Sequence, residues 1–518
     1  MSRHAPIGRR TFMRRSLAAG AGLVAPAILR SQQRPAITHG IASGDVSGSQ
    51  ATIWSRADRP ARMFVEYATT EGFASRQRVA GPDALDVTDF TARVVLTDLP
   101  PEQRISYRVT FQDLSDLRVW SDPVAGVFRT PAAAAPAARP VTIAWSADTA
   151  GQGWGINPEW GGYRIYQAMQ AAEPDLFVHC GDTIYADQPL LPEVALDDGS
   201  VWKNVVTPAK SKVAESLEEF RGNYQYNLLD ENMRRFNAAV PQMAIWDDHE
   251  VRDNWYDSRD LSRDDRYREK RMALLAARAR RAFLDYHPVA IDPHQRDRIH
   301  RTRSLGPLAE VFALDMRSFR GPNSANLQPA LDDEAVLLGR EQLAWLKARL
   351  AASRATWKVI ASGMPVGVVV RDGPQHFEAV ANSDAGPPRG RELEIADLLR
   401  FIKTERVHNV VWITGDVHYC AAHHYDPARA RFTDFDPFWE FVAGPLNSGT
   451  FGPNEMDATF GPEVRFTGVP PGMKPNRPPS AGLQFFGTLR IEPRTQTMTV
   501  TLRDLAGAPL HRVEIEAR

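Results

Sequence analysis

From residue 36 to residue 130 the chain alternates apolar and polar positions in short runs: QATIWSRA, RMFVEYAT, TARVVLTDL, ISYRVTF and VAGVFRT. Period-two alternation turns one face of a strand to a core and the other to solvent. Its recurrence at roughly ten-residue spacing, with turn residues between, reads as a small β-sandwich. No helical window competes with it. TPAAAAPAARP, residues 130–140, is an Ala/Pro linker and a domain boundary by composition. Beyond it the pattern changes. VTIAWSAD, DLFVHCGD, QMAIWDDHE, EVFALDMR, WKVIASGM and VHNVVWITGDVH are apolar almost throughout, as strands covered on both faces are. Helical periods fall at residues 161–173, 268–286, 339–353 and 391–405. The tail returns to hairpin-like strands, FWEFVAGPL, QFFGTLRIEP, QTMTVTLRD and HRVEIEA. The expected architecture is an α/β domain over residues 140–518, a layered mixed β-sheet with helices outside, behind a β-sandwich over residues 36–130. Residues 188–239 break the rhythm and read as an excursion over one end of the sheet. The Pro/Gly-rich residues 371–390 and 444–479 read as loops that cover a site.

Composition narrows the classes. A net charge of -1 gives no global field toward nucleic acid or anionic lipid. Two cysteines, Cys180 and Cys420, cannot build a disulfide framework or a cysteine-rich zinc site. The N-terminus is distinct: GRRTFMRRSLAAGAGLVAPAIL has a basic start and then a weakly apolar run too short to span a bilayer. Arg9-Arg10-x-Phe12 matches a twin-arginine export signal, and Ala25-Pro26-Ala27 offers a small-x-small cleavage site. Residues 1–30 therefore read as a signal peptide, with a disordered basic tail as the alternative. The expected location is periplasmic or secreted, with the twin-arginine translocase as partner during export and a monomer as the expected state.

Four of the buried runs end in acids: Asp148; Asp182; Asp247, Asp248, His249 and Glu250; and Asp416 with His418. In an open α/β sheet the carboxyl ends of strands form one crevice where ligands bind. Carboxylates brought together there raise one another's pKa unless cations neutralise them. Carboxylates, a phenol and a few imidazoles suit hard cations such as Fe(III), Ca, Mg or Mn. Two such ions sharing one bridging carboxylate make a phosphoester-cleaving centre.

GDTIYAD, WDDHE and TGDVH, in this order behind a first strand ending in Asp148, resemble the metallophosphoesterase fold. More narrowly they are similar to the PhoD-like alkaline phosphatases and their relatives the purple acid phosphatases. LTDLPPEQRISYRV resembles the corner of a fibronectin type III domain, with Tyr107 as the corner tyrosine. The resemblance implies that Asp182 bridges two metals and that Tyr185 binds an Fe(III)-like ion. It places Asp248 where the superfamily has a metal-binding Asn. His249 would face the leaving group. Asp416 and His418 match the ligand positions of a GHxH motif whose first His is Asp, which makes the second site richer in oxygen. Asp148 stands where PhoD-like enzymes often have a cysteine ligand. The implied cofactors are Fe(III) plus Ca2+, with Mn, Mg or Zn as alternatives. The implied activity is hydrolysis of small phosphate monoesters by in-line attack of a metal-activated hydroxide. A phosphodiesterase or phospholipase D-like esterase is the rival on the same centre, and a non-catalytic surface binding protein is the rival of another class.

Other residues carry plainer expectations. Arg252, Arg317 and Arg320 could meet a phosphoryl group or form structural ion pairs. Asp247 reads as structural, since adjacent residues at a strand tip point to opposite faces. Glu250 could orient His249 or bond the backbone. His179, His423 and His424 read as packing or surface residues. AGQGWG lacks the spacing of a nucleotide-binding loop, so it reads as a loop beside the metals, with Trp154 or Asn157 as the candidates to touch substrate. No Gly-x-Ser-x-Gly elbow is present. Cys180 reads as a packed neighbour of the centre, with a disulfide to Cys420 as the alternative.

Overall fold

The apolar runs become the inner strands of two stacked sheets. In this computed structural model, which describes residues 34–518, the first sheet has nine strands. Their spatial order is Pro509–Ile515, Met498–Arg503, Phe486–Ile491, Val141–Ser146, Leu176–Cys180, Gln242–Ile245, Ile37–Gly44, Ala51–Ala57 and Thr91–Leu96. The second has seven: Arg301–Ser304, Ala309–Ala313, Trp357–Ala361, Val410–Thr414, Phe438–Val442, Ala421–Tyr425 and Pro462–Thr467. The signal-peptide expectation for residues 1–30 lies outside the described residues.

Side-chain alternation explains why these strands read as apolar on both faces. Ile143, Trp145, Val178 and Cys180 of the first sheet meet Val311, Val359, Val411 and Ile413 of the second in one central core. The residues between them point outward. Ala144 and Phe177 pack with Ile165 and Met169 of helix Ile165–Ala171. Phe312, Ile360 and Trp412 pack under helices Arg340–Ala352 and Glu392–Thr404. Helix Met272–Tyr286 covers Ala244, Trp246 and Trp54. The result is a mixed α/β architecture with helices outside two sheets.

The N-terminal strands do form a sandwich. Gln77–Ala84, Ala61–Ala68, Arg104–Asp113 and Val124–Arg129 make a separate sheet. It packs Met63, Val65, Ile105 and Val109 on Ile41, Ile53 and Val94. The opposing leaf, however, is the end of the nine-stranded sheet itself, joined by parallel pairing of Gly44 with Gln242. The Ala/Pro stretch also contributes to the central core, through Ala132 and Ala137. Tyr107 corrects the corner-tyrosine expectation: its hydroxyl makes a long 3.4 Å bond to the Ala238 carbonyl rather than to its own upstream backbone.

Residues 188–239 also differ from expectation. Besides a short hairpin of Glu193–Ala195 and Val201–Lys203 they contain helices Leu217–Asn227 and Glu231–Ala239. Ser216 and Glu219 form a capping box, with reciprocal bonds of 3.2 and 2.9 Å. Asp230 caps the second helix through Met233 N at 2.8 Å. Their polar composition hides the helical period, so the caps were the readable signal.

Glu392 opens helix Glu392–Thr404 in a buried position. Its carboxylate accepts from Arg389 N and Asn382 Nδ2, both at 3.1 Å. Burial, then the nearby Asp457, raises its pKa from 4.5 to about 9. A folded pKa above the unfolded one means that the native state holds the proton longer, so stability is lost as pH rises through this window. Glu392→Gln should therefore show a smaller fall in unfolding midpoint between pH 4.5 and about 9 than the wild type. Identical pH slopes in thermal melts would refute this.

Candidate metal centre

The carboxyl ends of the parallel strands from both sheets meet at one junction. Just past Val141–Ser146, Leu176–Cys180 and Val410–Thr414 stand Asp148, Asp182, Asp416 and His418, and all four adopt left-handed backbone, with φ of 68°, 54°, 68° and 61°. This region is uncommon for non-glycine residues and is held only where the surroundings over-determine it. Two glycines let the tips approach. A Cβ on Gly181 would sit 2.5 Å from the Asp247 Cβ, and one on Gly415 would collide with the Ala147 methyl.

Three overlapping groups of donors result, each with its ligand atoms within 4.8 Å of one another: Asp148, Asp182 and His418; Asp182, Asp248 and His249; and Asp247, Asp248 and Asp416. Asp182 belongs to the first two, the place a bridging carboxylate must hold. The Tyr185 hydroxyl lies 3.0 Å from His418 Nε2 and so joins the first group. His418 Nδ1 lies 2.6 Å from the Gly449 carbonyl, which leaves the Nε2 lone pair turned to the site and to the Tyr185 hydroxyl. The GDVH pair is thereby split, His418 to one group and Asp416 to the other.

The charge balance tests whether cations fit. Both carboxylate oxygens of Asp148 are buried without a hydrogen-bond partner. Burial, then Asp247, pushes the Asp148 pKa well above the carboxylate range. Burial and Asp248 do the same to Asp182, and burial, Glu378 and Asp247 to Asp416. Burial pulls His418 down to about 4, so its imidazole is neutral and able to ligate. Unpartnered oxygen lone pairs, a neutral imidazole and a phenol turned to one point are the donor set of hard cations. The residues present fit two such ions.

Around the ligands the structure redistributes several expected roles. His249 Nδ1 is 2.8 Å from Asp187 Oδ1, and its ring stacks on Tyr185 at 4.2 Å. Burial opposes its charge, but Asp187, Asp248 and Asp182 outweigh burial and raise its pKa well above the ordinary value. Glu250 bonds backbone: it accepts from Thr183 N at 2.6 Å and Asp247 N at 2.8 Å, tying two strand tips together. Arg252 and Arg317, expected to meet a phosphoryl group, have other partners. Arg252 turns to Asp264 at 3.3 Å. Arg317 is wholly enclosed, pairs with Asp247 and Glu378, and lies 3.8 Å from both Asp248 and Asp416. Arg320 donates to Asn323 Oδ1 at 2.8 Å and to the Glu378 carbonyl. Asp247, expected to be structural, carries that pairing while its carboxylate remains within the third donor group.

Trp154 donates to Asn476 at 2.7 Å, and Asn157 caps a turn through Glu159 N and Trp160 N. His179 bonds Thr149 at 3.0 Å and His423 bonds Glu440 at 2.9 Å, both inside the protein. His424 packs on Trp439. Cys180 and Cys420 are free and buried. Sequence reading missed Asp187 and Glu378. Asp187 ends the same HCGDTIYAD stretch as Asp182 and was a visible third acid. Glu378 follows the two-residue strand His376–Phe377, too short to leave a periodic pattern, and carried no signal.

A family model for PhoD-like phosphatase matches residues 143–502, and one for the PhoD-like phosphatase N-terminal domain matches residues 23–132. Alkaline phosphatase D of Bacillus subtilis (strain 168) is 29% identical over 314 residues, which make up 58% of this chain and 51% of that protein. The match thus spans about half of that relative's length. Among solved structures, that of PhoD superposes with a TM-score of 0.68 at 20% identity, covering 94% of this chain and 90% of the other. Purple acid phosphatase PPD1 from yellow lupin (Lupinus luteus) seeds gives 0.57 at 12% identity, covering 93% and 74%. At these identities the structural likenesses speak for the fold alone.

Asp148→Asn removes a buried carboxylate that has no partner in the cation-free protein. The variant should melt at or above the wild-type temperature in chelator, yet gain much less from added Mn2+. A lower midpoint in chelator together with a full Mn2+ response would contradict the assignment.

Proposed function

The chain belongs to the PhoD-like phosphatase family, and on that premise we propose that it hydrolyses phosphate esters at the centre built from Asp148, Asp182, Tyr185, Asp248, Asp416 and His418. The observation that carries this reading is the place of Asp182 between Asp148 and His418 on one side and Asp248 on the other, beside the unpartnered oxygens of Asp148. Bound cations would supply positive charge for the phosphoryl oxygens and acidify a neighbouring water. Fe(III) with Ca2+ is the pairing that the oxygen-rich donor set supports, the phenol and His418 favouring the harder, more acidic ion.

The chain's own groups do the rest. His249, held charged by Asp187, keeps Nε2–H toward the mouth of the site, 3.8 Å from the half-exposed Asp253. From there it donates a hydrogen bond to a phosphoryl oxygen or a proton to the leaving alkoxide. Arg317 neutralises Asp247 from inside the protein and leaves Asp248 and Asp416 to face the cations. Glu250 keeps the Asp182 and Asp248 tips at fixed separation.

Phosphate monoesters are the first substrate class. One observation favours diesters as a second: Arg252, Arg317 and Arg320 are all engaged by other partners. Those partners fix the three guanidinium groups in place, although each keeps a buried nitrogen without a hydrogen bond. Rates on a monoester, a diester and a phospholipid would separate the classes. The Arg9-Arg10-x-Phe12 motif supports action outside the cytoplasm after twin-arginine export.

Asp182→Ala should lose bound metal, measured by elemental analysis, together with phosphoesterase activity. Near-normal values of both would overturn the proposal. Asp187→Asn should retain metal while kcat falls on the order of 10²-fold, the contribution of a positioned proton donor. An unchanged kcat would remove His249 from that role.

A further inference from the structure

Lys210 belongs to none of the donor groups, yet its side chain is 98% buried, with relative exposure of 2%. It closes the short 3-10 turn Pro208–Lys210, inside the stretch that the sequence presents as an excursion. Its Nζ donates to the Tyr185 carbonyl at 2.7 Å. That carbonyl otherwise receives only a long 3.5 Å bond from Gln188 N. The Tyr226 ring lies 5.9 Å from the ammonium, and among the described residues no ion pair accompanies it. Burying an ammonium costs several kcal/mol, more than a single carbonyl offsets. A methionine would fill the same space without that cost. The charge therefore needs an explanation beyond packing.

The explanation lies in the turn that Lys210 holds. Tyr185 presents its phenol 3.0 Å from His418 Nε2. Two residues on, Asp187 accepts from Asp253 N at 3.0 Å and lies 2.8 Å from His249 Nδ1. The other anchors of this turn are backbone bonds of 2.8 Å, Ala186 N to the His249 carbonyl and Ala214 N to the Ala186 carbonyl. Lys210 grips the same segment twice, since its own carbonyl accepts from Leu190 N at 2.7 Å. Burial pulls the Lys210 pKa from 10.5 down to about 7, and Asp187, acting through space, offsets only part of that fall. One buried amine thus stands behind both the phenol of the first donor group and the carboxylate that orients His249.

We propose that Lys210 is a positioning residue of the metal centre, its buried amine setting the Tyr185–Asp187 turn and through it the phenol that faces one cation. This rests on the reading of the centre as a two-cation site. The full chain, stripped of metal, is titrated with Mn2+ alone by calorimetry, as wild type, Lys210→Met and Lys210→Gln. Melts are recorded in chelator.

The wild type should bind two Mn2+ per chain. Lys210→Met should bind at one of the two sites at least tenfold more weakly, the usual effect of removing a partner behind a metal ligand. Its cation-free midpoint should not fall below the wild type, because a poorly compensated buried charge has gone. Lys210→Gln keeps a donor on a stem too short to reach the Tyr185 carbonyl and should show the same loss of affinity. Wild-type affinity in either variant overturns the proposal. So does a cation-free Lys210→Met chain that is unfolded or clearly less stable, which would assign Lys210 to the fold. Failure of the wild type to bind Mn2+ overturns the two-cation reading itself and this proposal with it.

Discussion

Mutual repulsion among buried carboxylates is the constraint on which this molecule is organised. Asp148, Asp182, Asp247, Asp248 and Asp416 reach one junction from two sheets, and no packing of apolar side chains can make that arrangement favourable on its own. Three devices answer it. Arg317 enters from within and pairs with Asp247 and Glu378. Asp187, with Asp248 and Asp182, overcomes burial and favours the charged form of His249. What remains, Asp148 with its two unpartnered oxygens above all, is left for cations. Folding and cation binding are therefore coupled, as in other sites whose ligands have no other source of charge.

The geometry at the strand tips decides which acid joins which donor group. Along a regular strand, residues two apart share a face, which would place Asp416 and His418 together. They separate because both have left-handed backbone and Val417 N bonds back to the Gly415 carbonyl at 2.8 Å. The chain coils instead of extending, and the two side chains diverge into different donor groups.

Much of this was legible in the sequence. Apolar runs ending in Asp fix strand identity and direction, and parallel strands put their carboxyl ends on one side. Hence Asp148, Asp182, Asp248 and Asp416 could be named before their positions in space were known. Ion-pair choices could not. Arg317 in LDMRSFRG gives no local sign that it points inward to Asp247, because the partner comes from a strand of the other sheet, and Glu378 lies in a loop without periodicity. The polar helices of residues 188–239 were hidden for a related reason: their burial is supplied by neighbours far along the chain. The continuity of the N-terminal leaf with the main sheet depends on a pairing between Gly44 and Gln242, which no window of sequence contains.

The two thiols have a use of their own. Cys180 and Cys420 sit in the central core where the sheets face each other, and burial raises both above the ordinary thiol range. Neither forms appreciable thiolate there, so both are inert toward alkylating reagents while they stay covered. Labelling of Cys180 requires the two layers to part, whereas Cys420, packed beside Gly468 of the 444–479 stretch, is also uncovered when that stretch frays. The protein carries a built-in chemical clock for opening of its core, readable by mass without any added probe site.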